Sequence, residues 1–107
     1  MRIANWNIEA MTGYKPITTY YEDFSIADAF GVDAIKDTYH RAFENWKDNV
    51  KYFTEIVMVL NWKCWEHYDA GRGNYCQLYQ DLYFEADAYA REHFKGDDLT
   101  YYWNTTD

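Results

Sequence analysis

Asp37 and His40 stand three residues apart, the carboxylate–histidine spacing by which helical bundles hold pairs of iron ions. Such a centre needs a second copy of the motif and two further carboxylates, all pointing inward. The chain offers one copy, and Tyr39 rather than His40 falls on the apolar stripe of its segment. Cys64, His67 and Cys76 supply three soft donors, but zinc sites usually take a fourth ligand and tighter spacing. Cys64 and His67 also lie one turn apart on what reads as a single helix. A catalytic Cys–His pair normally comes from different elements, with a third group orienting the imidazole. Ser25, the sole serine, sits in no Gly-x-Ser-x-Gly elbow and suits a helix cap. Gly71-Arg72-Gly73-Asn74 leads into a helix, a setting that can bind an anion but is equally ordinary loop chemistry. Neither a P-loop nor a Gly-x-Gly-x-x-Gly run occurs. The expectation is therefore no catalytic residue, no metal and no cofactor.

Surface chemistry is the alternative. Asp33, Asp37, Glu44 and Asp48 form one carboxylate row, and Asp81, Glu85 and Glu92 form another. Carboxylates one helical turn apart repel by a few tenths of a kcal/mol. Few cations interleave them; Asp37 with Arg41 and Asp87 with Arg91 are the exceptions. Lines of carboxylates at helical-turn spacing imitate a line of phosphates. The rows fit either an acidic interaction face or an ordinary solvated helix face. Met58, Trp62 and Trp65, at offsets 0, 4 and 7, form a further apolar face. Either the N-terminal segment covers it through Trp6, Tyr20 and Tyr21, or it is an interface, where Trp and Tyr dominate binding energy.

Helices must position these groups. A short helix fits residues 25–30, capped by Ser25 and closed by a left-handed Gly31. Asp33 starts the next, to about Lys47, with Ile35, Tyr39, Ala42, Phe43 and Trp46 on one face. The third runs from Asp48 or Asn49 to Tyr68, with Phe53, Ile56, Val57, Leu60, Cys64 and His67 on one face. Because Met58, Trp62 and Trp65 add a second apolar side, this helix is either central or shares that side with a partner. The last long helix, capped by Asn74, reaches about Phe94. Tyr75, Leu78, Leu82, Tyr89 and either Tyr79 or Ala86 form its core stripe, and Gly96 ends it.

Residues 1–24 read as irregular, with a turn at Gly13-Tyr14-Lys15-Pro16. Residues 17–21 and 99–103 are alternatively two short paired strands, or the second is a helical turn capped by Asp98. The expected fold is all-α: one domain over residues 1–107, a small compact bundle of three long helices and one short one.

Composition agrees with a single folded domain. The chain has 107 residues, 49% hydrophobic and 21% aromatic, which is incompatible with intrinsic disorder. Eighteen acidic residues against 10 basic ones give a net charge of −8, which repels nucleic acid and anionic membranes and attracts a basic protein surface. The first ten residues lack the apolar run of a secretory signal, and residues 56–60 are too short to span a bilayer. With two cysteines and no secretory signal, the expectation is a cytoplasmic protein with reduced thiols.

Gly13-Tyr14-Lys15-Pro16-Ile17-Thr18-Thr19, Glu22-Asp23-Phe24-Ser25-Ile26-Ala27-Asp28, Lys36-Asp37-Thr38-Tyr39 and Val57-Met58-Val59-Leu60-Asn61-Trp62-Lys63 resemble a group of small acidic proteins from conjugative and phage-like elements of gut Firmicutes. The resemblance covers most of the chain from Gly13 onward. It marks residues 1–10 as an addition, with Met11 as an alternative start. It implies a mobile-element setting, which includes anti-CRISPR and antirestriction inhibitors, and carries over no catalytic residue. The functional expectation is a non-enzymatic binder of a host nucleic-acid-binding or defence protein, without direct contact to nucleic acid. The alternative is a homodimeric accessory protein using the Met58, Trp62 and Trp65 face.

Overall fold

The computed structural model describes residues 17–106, which form five α-helices: α1 (Ile17–Phe30), α2 (Val32–Trp46), α3 (Val50–Asp69), α4 (Gly73–His93) and α5 (Gly96–Thr106). The all-α expectation holds, with one helix more than expected and no strand among the described residues. Residues 17–24, expected to be irregular or a strand, are the first half of α1. The β-branched start costs helix propensity only tenths of a kcal/mol per residue. Helical periodicity returns more, because it puts Tyr20, Phe24 and Ala27 together in the core. Tertiary burial therefore overrides local preference. Residues 99–103, the other half of the expected strand pair, lie within α5, which runs three turns rather than one. Asp97 and Asp98 in its first turn suit the helix dipole, and Tyr102 is fully buried. The expected turn at residues 13–16, and Trp6, lie outside the described residues.

Helix α3 packs against each of the other four helices. Its two-sided apolar pattern therefore reflects a central position. The second buried side differs from the expected one: Val59 and Lys63 are buried, whereas Trp62 and Trp65 face outward. Asn49 caps α3 by accepting the Tyr52 backbone N–H at 3.1 Å. On α4 both Tyr79 and Ala86 are buried, with Leu82 and Ala90, while Tyr75, Leu78 and Tyr89 pack at the core edge. Asn74 is not the cap of α4. The helix begins at Gly73, and Arg72 occupies the cap position without a side-chain cap hydrogen bond.

A ring cluster fills one end of the core. Phe43 meets Tyr89 edge-on at 4.8 Å, and Phe53 meets Phe43 at 5.7 Å and Phe94 at 5.9 Å. Between α1 and α2 there is a single residue, Gly31, at φ +113°. Its N–H reaches Ala27 O while its own carbonyl accepts the Ile35 N–H, so one residue closes one helix and opens the next.

Candidate functional site

The densest titratable chemistry is a polar cluster that joins α1, α3 and α4. Helical spacing creates it: Ser25 and Asp28 lie one turn apart on α1, and Lys63, Glu66 and His67 share a face of α3. The Lys63 ammonium donates to Ser25 Oγ at 3.0 Å and lies 2.8 Å from both Asp28 Oδ2 and Glu66 Oε2. Its three protons thus meet three acceptors, with the Tyr21 ring 4.9 Å away as a fourth electron-rich neighbour. Desolvation alone would lower the Lys63 pKa, but the hydrogen bonds to Asp28 and Glu66 overcome it and hold it above the ordinary lysine value.

Asp28 is the acceptor hub. Tyr79 donates its hydroxyl to Asp28 Oδ1 at 2.6 Å, and His67 Nε2 approaches Oδ2 at 2.9 Å. Arg72 Nε donates to His67 Nδ1 at 2.8 Å. An Nδ1 that accepts carries no proton, so the imidazole is the neutral Nε2–H tautomer and donates to Asp28. The His67 ring stacks on Tyr79 at 5.4 Å and 12°. Burial, followed by the bond to Asp28, pushes the Tyr79 hydroxyl far above its usual pKa. Partial burial works to raise the Glu66 carboxyl, but hydrogen bonds from Lys63 and Tyr21 outweigh it and hold the pKa below the usual value.

Asp28, Glu66 and His67 offer ligand atoms within 4.8 Å of one another, the geometry of a cation site. Lys63 already supplies the cation: its ammonium contacts both carboxylates, and its side chain is 0% exposed. The polar atoms of the cluster bond mainly to one another, so the arrangement ties three helices together. Sequence reasoning missed this cluster. Its signal was Lys63, a cation within the apolar stretch of α3.

The residues singled out for chemistry separate. Asp37 pairs with Arg41 at 3.1 Å and His40 is exposed, so that pair does not point inward. Ser25 lies within α1, bound to Lys63, and caps nothing. Cys64 and His67 part company: His67 joins Asp28, while Cys64 Sγ lies 3.6 Å from Cys76 Sγ. Arg72 of the glycine-flanked loop turns onto His67.

All seven carboxylates of the two rows are exposed. Glu44 pairs with Lys47 at 3.1 Å, and Asp81 accepts from Gln77 at 2.8 Å. Asp33, Asp48, Glu85 and Glu92 form no ion pair among the described residues. Asp48 lies in the turn after α2, one step beyond the helical row. Glu85 also acts electrostatically on the Tyr39 hydroxyl, which is buried without a hydrogen-bond partner at ordinary geometry; burial first, and then Glu85, push its pKa up.

The aromatic face is open. Trp62 is 46% exposed, Trp65 56%, Tyr68 64% and, across on α4, Phe84 57%. Met58 is half-buried. Tyr20 turns to Trp46 and Tyr21 to Glu66, so neither serves as the expected cover. A groove of about 200 Å³ between α3 and α4 is lined by Asn61, Cys64, Trp65, Gln80, Tyr83 and Phe84. No helix among the described residues is long and apolar enough to cross a membrane. No protein-family model matches the chain, and no match to it was found among curated proteins or solved structures.

Proposed function

We propose that this chain is a non-catalytic protein-binding module that presents its acidic helix faces to a basic, nucleic-acid-binding surface of a partner protein. Inhibition of a host defence protein is the role that fits such a module. The observation that carries the reading is the exposure of Asp33, Asp37, Glu44 and Asp48 along and just beyond α2, and of Asp81, Glu85 and Glu92 along α4. Only two of these seven have a cationic partner within the described chain, Asp37 with Arg41 and Glu44 with Lys47. Unpaired carboxylates of one sign leave a field that steers a basic partner into contact. The resemblance of most of the chain from Gly13 onward to mobile-element proteins supports the same setting, in the cytoplasm of a bacterial host.

The test is co-elution with a panel of host nucleic-acid-processing proteins at low and high salt. The expected result is a complex at low salt that weakens sharply as salt rises and disappears when Asp33, Asp37, Glu44 and Asp48 are changed to Lys. Salt-independent behaviour, or binding that survives all four reversals, overturns the reading.

The exposed Trp62, Trp65, Tyr68 and Phe84 favour a second reading, a homodimer through the α3–α4 face. It predicts a dimer by light scattering that Trp62→Ala or Trp65→Ala dissociates. A monomer at high protein concentration removes it.

A further inference from the structure

Cys64 and Cys76 belong neither to the acidic faces nor to the polar cluster, yet the α3–α4 hairpin sets them face to face. Cys64 lies in the last third of α3, and Cys76 in the first turn of α4. The connection between the helices spans only residues 70–72. The two sulfurs are 3.6 Å apart, and both side chains are partly exposed. A disulfide bond is about 2.05 Å long, so the sulfurs must close by about 1.5 Å. Cys64 lines the groove beside Trp65 and Phe84, and the partial exposure of Cys76 leaves its sulfur within reach of a small reagent.

We propose that Cys64 and Cys76 are a modification site, a dithiol that takes part in thiol–disulfide exchange with a small disulfide of the glutathione class and closes into a bond between α3 and α4. In the first step a Cys76 thiolate attacks one sulfur of the small disulfide. A mixed disulfide forms at Cys76 and one thiol leaves. Cys64 then gives its proton to water and attacks the Cys76 sulfur, and the second thiol leaves. Two protein thiols are oxidised by two electrons, and one small disulfide is reduced to two thiols. The order follows from burial: desolvation, then the hydrogen bond from its neighbour, pushes the Cys64 thiol up to about 11, so few Cys64 thiolates exist to start the exchange. Once the mixed disulfide has formed, the 3.6 Å approach makes closure intramolecular and favours it over a second adduct.

The experiment equilibrates the full chain with reduced and oxidised glutathione in varying ratio. Free thiols are then trapped with an alkylating reagent and each species is weighed intact. The expected result is direct interconversion of a doubly alkylated monomer and an unalkylated monomer, with the mixed disulfide at least tenfold less abundant. Cys64→Ser and Cys76→Ser each stop at a single glutathione adduct. In denaturant the preference for the internal bond falls at least tenfold, because the fold supplies the proximity. Three results overturn the proposal: accumulation of mixed adducts on the native wild type, intermolecular dimers in place of the internal bond, or an internal bond that forms equally well in the unfolded chain. Unchanged helical circular dichroism of the oxidised monomer is expected; its loss means that the bond distorts the hairpin and also refutes the geometry.

Discussion

Replacing Lys63 by Met removes the ammonium and keeps most of the stem. Asp28 retains Tyr79 and His67, and Glu66 retains Tyr21, but the cation between the two carboxylates is gone. Their oxygens lie within 4.8 Å of each other. At an effective dielectric constant of about 20, two unit charges at that distance repel by about 3.5 kcal/mol. Glu66 is 36% exposed, so solvent screens part of this. Losing one partner of a buried ion pair typically costs about 3–5 kcal/mol. Together these place the cost near 3 kcal/mol, or about 12 °C or more in Tm for a domain of this size. Urea unfolding followed by circular dichroism measures it. One accompanying result separates electrostatics from lost packing. Adding Asp28→Asn, which removes one of the two facing carboxylates, should restore part of the loss at neutral pH, whereas a loss of packing alone would not be restored. If Lys63→Met costs less than about 0.5 kcal/mol, the cluster is not a tie between helices and the reasoning fails.

The same cluster sets a pH dependence. Glu66 has a depressed pKa in the folded chain, so its contribution is complete above the unfolded value of about 4.3 and is lost as pH falls through the lower, folded value. Lys63 has a raised one, so its contribution is complete below about 10.4 and is lost as pH climbs through the higher, folded value. Denaturant titrations across pH should show both limbs, and Glu66→Gln should flatten the acidic one. Tyr39→Phe removes a buried hydroxyl that has no hydrogen-bond partner at ordinary geometry and lies in the field of the Glu85 carboxylate, so it should raise stability by up to about 1 kcal/mol in urea unfolding. Gly31→Ala puts a side chain where φ is +113°. Its Cβ meets nothing within 4 Å, so the expected cost of about 1–3 kcal/mol in thermal unfolding comes from backbone strain alone.

The long helices were legible because each pairs a clear stripe with punctuation: Ile35, Tyr39 and Ala42 before the Asn49 cap, then Phe53, Ile56, Val57 and Leu60 before Gly71. The first half of α1 was not, because residues 17–21 look extended in sequence, and the core burial of Tyr20, Phe24 and Ala27 is what favours a helix there. Helix α5 was obscured for the same reason, since the anchor of Tyr102 is Asp87, fifteen positions back and on another helix. The polar cluster was half legible. His67 was placed on the core face, but Lys63 was given no role, and its partners Ser25 and Asp28 lie some forty positions away, where no local pattern connects them. The carboxylates of the two rows are exposed, which the helical period alone implies, whereas the period could not tell that Trp62 and Trp65 stand open to solvent.

The position of α3 has a consequence for how the chain assembles. The three-residue connection to α4 lets that hairpin form through contacts close in sequence, which are fast to make. Helices α1 and α5 lie at opposite ends of the described chain, and both dock onto the α3 already in place. The folding nucleus is thus expected to be the α3–α4 hairpin, with the outer helices condensing later and opening first. Native-state hydrogen exchange should then be slowest for amides in the middle of α3 and fastest in α1 and α5.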